Sequence, residues 1–563
     1  MDHRFSTEIT PADRFYYNRL FYDYIFNYDL LKSYFTHDHR STAGLRERMG
    51  EIKKNYDDSY REKIVPIVEE MNLKLGAGKK TLENIGRLSK KETAIVIGGQ
   101  QPGLFTGPIF IIYKIITVLK LSHYIQEKTG NPVIPCFWNA SDDSSLDQAD
   151  RLGIPGNQLN MVKLDTSAVN KSSRLSNISL DRDLYLDIIK NIESLMPGRG
   201  LDHEARAMLE SSLEQQAALH SQGKIGLAGL FSRIILKLFS GWGIVIIDPA
   251  DVSFKELGSD FLKWDIRNHE KISKSIREKG EMLKEAGYHA QLEPNKDVLD
   301  FFININDART KIQINPGGRF ILGGKESPAG EILAAANSDP ASVSWNVALR
   351  PLIQDTIFPV AATVCGPGEV SYFAQLGGIY DMKGVSMPVI YPRFSATIIE
   401  PGTSRSMKKT EISTHTLALD KQDAEKMLLK NNTIADPEEI ISGLEAEIIS
   451  SIKGAEEKII KAGNDPGSAF DRIKRNLGNE VKVLSKKLFS ALKKQNQLLV
   501  KSIDDIYGDL LPEGNLQERK INIFYYISKY GSRIINTLYD AYMPSEKGHV
   551  FIYLERKEKD EAG

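Results

Sequence analysis

The sequence predicts an α/β fold: a doubly wound parallel sheet with inserted connecting segments and a C-terminal antiparallel coiled-coil arm. Three observations carry this. Apolar runs of strand length recur, each ending in glycine or polar residues: AIVI (Ala94 to Ile97), VIPCFW (Val133 to Trp138), GIVIID (Gly243 to Asp248), PVAATVC (Pro359 to Cys365) and PVIY (Pro388 to Tyr391). Helical patterns separate the runs, and continuous apolar strands alternating with helices belong to a parallel sheet covered on both faces. Beyond Glu400 charged residues rise, and apolar ones fall on a stripe at steps of three and four, the spacing of a coiled coil.

Taken in order, residues 1–150 form the first half of the core and contain the first two strands. Residues 151–240 are a helical insertion, read from the pattern between Leu184 and Phe239, and 241–290 continue the core. Residues 291–345 are a small β-rich insertion. There FFININDARTKIQINPGGRFILGG alternates around Asn306-Asp307 and Pro316-Gly317-Gly318, as an antiparallel meander does. Residues 346–402 complete the core. Residues 403–510 are the coiled-coil hairpin, with Ile441, Leu444, Ile448, Ile452, Ala455 and Ile459 on one helix and Ile473, Leu477, Val481, Leu484, Leu488 and Leu492 on the other. Gly463-Asn464-Asp465-Pro466-Gly467 breaks the chain between them. Phe489, Leu498, Leu499 and Val500 exceed what a two-stranded seam consumes, so a homodimer through this arm is expected. Residues 511–563 return to pack on the core.

Composition narrows the partners. A chain of 563 residues is too long for one core, and Lys+Arg 73 against Asp+Glu 74 exerts no pull on nucleic acid or anionic membrane. Small molecules, or a second copy, remain. Cys136 and Cys365 lie too far apart for a disulfide framework or a cysteine zinc site, which points to the cytoplasm. The opening MDHRFSTEITPADRF is no secretory signal, and the most apolar helix, Ile109 to Leu121, carries Lys114 and Lys120 and falls short of a bilayer span. The ten histidines form no H-E-x-x-H pair, with His37 and His39 in a polar early loop, so no zinc site is expected. A buried strand cysteine such as Cys365 is inert.

Chemistry concentrates at the strand ends, where ligands of open α/β sheets bind. AIVIGGQQPGLFTGP (Ala94 to Pro108) reads strand, glycine turn, helix. Its glycines let the backbone approach a ligand and its helix offers free N–H groups, although a tight turn before a buried helix would use the same glycines. The paired Gln100 and Gln101 are not needed by a turn. WNASDDSSLDQAD sets Asp142, Asp143 and Asp147 past the second strand, able to hold a magnesium ion or an amine, or to act as acid and base; one of them also suits a helix cap. In NVALRPLIQD, Asn346, Arg350 and Gln354 at four-residue steps would align two amides and a guanidinium on one helix face, a set suited to a carboxylate. Gly366-Pro367-Gly368-Glu369 adds a second glycine turn with a carboxylate.

These segments resemble the BshC family, the cysteine-adding enzymes of bacillithiol biosynthesis. The resemblance spans nearly the whole chain, in GGQQPGLFTGP, FW-x-A-S-x-D (Phe137 to Asp143), NVALRPLIQD, GPGEVSYFAQL (Gly366 to Leu376), MPVIYPR (Met387 to Arg393) and QERKINIFYYISKYG (Gln517 to Gly531). It implies a Rossmann-like core similar to nucleotidyl-transferring enzymes, a coiled-coil dimer arm, and ligation of cysteine to glucosaminyl-malate. Carried over onto this chain are Asp142, Asp143 and Gln101 as catalytic, and Gln100, Gly103, Gly107, Asn346, Arg350, Glu369, Tyr372 and Arg393 as substrate-binding.

One departure stands out: where the family reads Glu-Asp-His-Asp before Leu-Asp, this chain has Asp142-Asp143-Ser144-Ser145, lacking an imidazole and a carboxylate. The expected activity is joining an amino acid's carboxyl to the amine of a sugar conjugate, with ATP for carboxyl activation and a possible role for Mg2+. The other reading is an altered relative that acts on another substrate or serves as a ligand-binding scaffold dimer.

Overall fold

The computed structural model describes residues 4–555 apart from 17, 145, 157, 197–199, 220–222, 432–436 and 464–466. It divides into two compact units, residues 1–398 with 515–563, and residues 399–514.

The first unit is built on a five-stranded sheet of β1 (Ala94–Gln100), β2 (Val133–Asn139), β3 (Val245–Ile247), β4 (Val360–Cys365) and β5 (Val389–Pro392). All four pairings are parallel, in the order β5-β4-β1-β2-β3. The strand order therefore reverses between β1 and β4. This is the doubly wound arrangement the apolar runs predict, and the crevice at such a reversal is where these sheets take ligands.

Helix α1 (Phe110–Thr129) follows β1 and is apolar on nearly every side because it is covered on nearly every side; Ile112, Ile115, Ile116, Val118 and Leu121 are all fully buried. Gly130, at φ 74°, ends it in the left-handed conformation that glycine adopts freely. Helix α2 (Leu349–Ile357) leads into β4, and α3 (Pro367–Lys383) leaves it, with Pro367 at its first turn and Gly384 at φ 71° closing it.

Residues 151–240 open with a β-hairpin, Arg151–Ile154 against Asn160–Lys163, before the helices Arg182–Leu195, His203–Ala217 and Leu227–Leu238. The hairpin strands are too short to show a period in the sequence. The second insertion is an antiparallel five-stranded sheet whose two longest strands, Val298–Ile305 and Ala308–Ile314, are joined by Asn306-Asp307 with φ 50° and 58°. Two successive positive φ values match the strand twist, which is why Asn and Asp occupy this hairpin turn. The chain ends also meet: Phe5–Thr10 pairs antiparallel with His549–Leu554, beside Ala396–Ile399.

The second unit is helical. Its long helices α4 (Pro437–Lys461) and α5 (Ala469–Gln495) pack on each other, with Lys474 and Glu456 paired at 2.8 Å across the seam. The predicted break at Asn464-Asp465-Pro466 lies outside the described residues. Ile441, Val481 and Leu492 are buried, whereas Leu444, Ile459, Ile473 and Leu484, on the same stripes, stay exposed.

Candidate active site

A cavity of about 720 Å³ lies where the strand order reverses, and every strand of the sheet sends residues to it from its carboxyl end. Gly99, Gln100 and Gln101 come from β1, Trp138, Ala140, Asp142 and Asp143 from β2, and Pro249 from β3. Gly366 to Glu369 follow β4, and Arg393 follows β5. Asn346, Arg350 and Tyr372 also line it.

A hydrogen-bonded chain runs along this wall. Lys114, fully buried on α1, donates to the Gly99 carbonyl at 2.6 Å, to Gln100 Oε1 at 3.2 Å and to Glu369 Oε2 at 2.5 Å. Burial pushes its ammonium below the usual lysine range, and Glu369 opposes that. Because the ammonium can only donate, it fixes Gln100 with its oxygen inward, so the Gln100 amide N–H₂ donates to Gln101 Oε1 at 2.7 Å. Gln101 in turn donates to Asp143 Oδ2 at 2.7 Å. Each glutamine keeps a second N–H for a ligand, so this wall offers donors to an acceptor. Glu369, at the third position of α3, also receives the Gly366 N–H at 2.7 Å.

The carboxylates past β2 are already balanced by cations. Asp143 receives the Ser144 N–H at 2.7 Å and pairs with Arg309 at 3.5 Å, while Arg309 lies 3.9 Å from the Phe302 ring centre. Asp142 Oδ1 takes Lys255 at 3.0 Å and Arg174 at 3.4 Å, all three buried, and its Oδ2 has no partner among the described residues. Behind them, Asp248 accepts from Ser141, from Asn139 at 3.3 Å and from the Ala250 N–H at 2.9 Å; burial pushes its carboxyl up to about 6. With Lys255, Arg174 and Arg309 facing Asp142, Asp143 and Asp248, the donor set does not fit a magnesium ion, which would need carboxylates free of cations. It does fit a neutral amine, whose N–H can donate to Asp142 Oδ2.

Arg350 is the opposite case. Its guanidinium donates to the Tyr372 hydroxyl at 3.0 Å, and among the described residues no carboxylate lies within ion-pair distance. A guanidinium on a cavity wall without a carboxylate is a receptor for one.

Of the remaining sequence-predicted residues, Asn346 and Arg393 line the cavity while bonded within the chain, and Gly103 and Gly107 shape the turn. Asn346 lies ahead of α2: its Oδ1 receives the Ala348 and Leu349 N–H groups at 2.9 and 3.0 Å, and its amide donates to Asp300. The expected shared face fails because the helix starts after Asn346, and Gln354, buried, bonds to Asp355 at 3.0 Å. Arg393 lines the cavity but forms a buried ion pair with Glu518. Gly103 and Gly107 do not line the cavity. They build the turn, where Phe105, Thr106 and Gly107 all have positive φ, a Cβ on Gly103 would sit 2.8 Å from the Gly107 Cα, and Asn522 clamps the Phe105 and Gly107 carbonyls at 2.9 and 2.7 Å. Asp147 is likewise not on the wall, and Ser145 lies outside the described residues. Both cysteines are buried, with their thiols pushed up by burial.

With this geometry in place, likeness to other chains can be weighed. Residues 6–394 match the family described as "Bacillithiol biosynthesis BshC, N-terminal Rossmann-like domain", and residues 396–554 match "Bacillithiol biosynthesis BshC, C-terminal coiled-coil domain". The chain belongs to the BshC family. Among BshC relatives it is 28% identical to the "Putative cysteine ligase BshC" of Salinibacter ruber, over 94% of this chain and 95% of the relative. The protein of the same name from Carboxydothermus hydrogenoformans is 27% identical over 94% and 97%, and that from Bacillus cereus (strain ATCC 10987) is 26% identical over 90% and 93%. The boundary between the two BshC matches falls at residue 395, close to the division between the compact units.

Sequence reading did not reach Lys114 and Arg309 on the wall of this BshC cavity, nor Arg174, Asp248 and Lys255 around its carboxylates. Two carried a signal. Lys114 is a charge inside the most apolar helix, and Asp248 ends a strand run. Arg174, Lys255 and Arg309 sit in ordinary polar surroundings and are brought in only by the fold. Among the described residues, no helix is long and apolar enough to cross a membrane.

Proposed function

We propose that this chain is an amide-forming ligase of the BshC type, joining the carboxyl of cysteine to the amine of glucosaminyl-malate in bacillithiol biosynthesis. The observation that supports this best is one cavity holding both halves of the chemistry. It has N–H groups on Arg350, Gln100 and Gln101 beyond those that bond Tyr372, Gln101 and Asp143, and an acceptor without an internal donor at Asp142 Oδ2.

In this reading Arg350, steadied by Tyr372, receives a carboxylate of the malate group. The sugar amine donates an N–H to Asp142 Oδ2 and attacks the acyl carbon of the activated cysteine carboxyl. The nitrogen–carbon bond forms as the bond from that carbon to the activating oxygen breaks, and the amine proton passes to Asp142. Gln101, oriented by Asp143, donates to the acyl oxygen as negative charge gathers there. Activation of a carboxyl is uphill, so ATP is the co-substrate that supplies the energy. Lys114 and Glu369 are positioning residues that set the direction of the glutamine donors.

The exposed residues of the α4 and α5 stripes support a homodimer through the arm. Incubating the full chain with ATP, cysteine and glucosaminyl-malate, and reading the products by mass, tests the activity. A new species with the summed masses of cysteine and glucosaminyl-malate less water, dependent on all three components, is expected. Its absence from a folded preparation overturns the ligase reading.

A further inference from the structure

Beyond the active-site cavity, a second pocket of about 150 Å³ sits past the end of β5, enclosed by the N-terminal segment around Phe21, Tyr124 of α1, Tyr391, Phe394 and Tyr542. A cavity of that size takes one benzene-sized ring. Its walls are aromatic, and two of the rings, Phe394 and Tyr542, are stacked with centres 4.6 Å apart.

The polar groups of its tyrosines are spoken for within the chain. Tyr391 donates to the Pro544 carbonyl, and the Tyr124 hydroxyl bonds to Thr42 at 3.4 Å. The guanidiniums are paired as well. Arg40 pairs with Asp38 at 2.9 Å and Arg393 with Glu518, while Glu546 and Lys547 stand exposed on the rim.

His39 is the exception. It lines the pocket, is only 8% exposed, stacks on Tyr24 with ring centres 4.4 Å apart, and its Nδ1 has no hydrogen-bond partner among the described residues. The sequence places His39 in a polar loop; the surrounding Tyr24, Tyr28 and Tyr391 rings bury it instead. Burial holds the imidazole neutral, its pKa pushed down to about 3. A buried nitrogen without a partner is costly to the fold unless something else supplies the bond.

We propose that this pocket is a second binding site, for a small uncharged aromatic ring bearing one hydroxyl or ring N–H. The ring would pack among Phe21, Phe394 and Tyr542, and its polar atom would bond to His39. A neutral imidazole and paired guanidiniums leave no buried cation to hold an anion. The pocket shares Arg393 with the walls of the active-site cavity, so its occupant would lie one side chain away from the substrate site.

The test titrates the full-length chain with phenol, toluene and benzoate, followed by ligand-observed NMR, and records the imidazole resonances of histidine-labelled protein alongside. Saturable one-to-one phenol binding is expected, about tenfold tighter than toluene or benzoate, with one histidine shifted; His39→Leu should remove the phenol preference and leave toluene unchanged. The histidine spectrum needs no variant and so decides the matter even if His39→Leu folds poorly. Absence of saturable phenol binding, equal binding of phenol and toluene, benzoate binding as tightly as phenol, or an unshifted histidine spectrum each overturns the proposal.

Discussion

Lys114 and Glu369 meet at 2.5 Å across the point where the sheet reverses, tying the helix after β1 to the first turn of the helix after β4. Everything the active-site cavity offers along that wall depends on the pair. The ammonium fixes the Gln100 oxygen, Gln100 fixes Gln101, and Gln101 meets Asp143.

Lys114→Met should therefore destabilise the chain by about 3–5 kcal/mol, as removing one partner of a buried ion pair does. Glu369→Gln alone should also destabilise, because it leaves the fully buried Lys114 ammonium without its counter-charge, although the new amide oxygen can still accept from Gly366. The double variant should fall short of the sum by about 1–3 kcal/mol in urea unfolding. Strict additivity would mean the two residues act independently.

Asp248 gives a pH dependence with a defined sign. Burial raises its carboxyl from the usual range to about 6, so its contribution to stability is complete below the unfolded value and is lost as pH rises through the folded one. The loss amounts to about 3 kcal/mol at most. In Asp248→Asn that loss is gone, so the variant should gain on the wild type between about pH 4 and about pH 7.5 in parallel urea titrations. A stability difference that stays constant over this range would show that Asp248 titrates normally.

The reach of sequence reasoning follows the physics of each signal. Buried parallel strands are continuous apolar runs, so all five strand ends, and with them Gln100 and Asp142, could be placed before any coordinates. Partnerships could not. Lys114 and Glu369 are 255 positions apart, Arg393 and Glu518 are 125 apart, and nothing local marks either pair. Arg393 reads as a substrate contact, and the sequence does not show that Glu518 already pairs with it on the cavity wall. Asn346 and Gln354 fit a helical face by spacing alone, but that spacing does not reveal that the helix begins at Leu349.

The loop after Asp143 should be improvable. Ser144→His with Ser145→Asp restores the imidazole and carboxylate of the resembled family beside carboxylates whose bonds are already made. Such groups are worth about 10²–10⁴ in rate, so turnover should rise in the double variant by more than in either single one. A fall in turnover would make the serines an adaptation to a different substrate.

For the arm, excising residues 403–510 and bridging the ends with a short flexible linker should give a monomer by light scattering. The exposed Leu444, Ile473 and Leu484 would then be the interface that was lost. A trimmed chain that still sizes as a dimer would place the contact in the first unit.

The central claim, that the cavity at the strand reversal receives the malate-bearing amine, is tested most directly by calorimetric titration of glucosaminyl-malate into the full chain, Arg350→Ala and Gln101→Ala. Each substitution should weaken binding by about 1–3 kcal/mol, the usual cost of losing a partner for a charged or buried polar group, with the melting temperature nearly unmoved. Unchanged affinity in both variants, or affinity lost only together with stability, would contradict it.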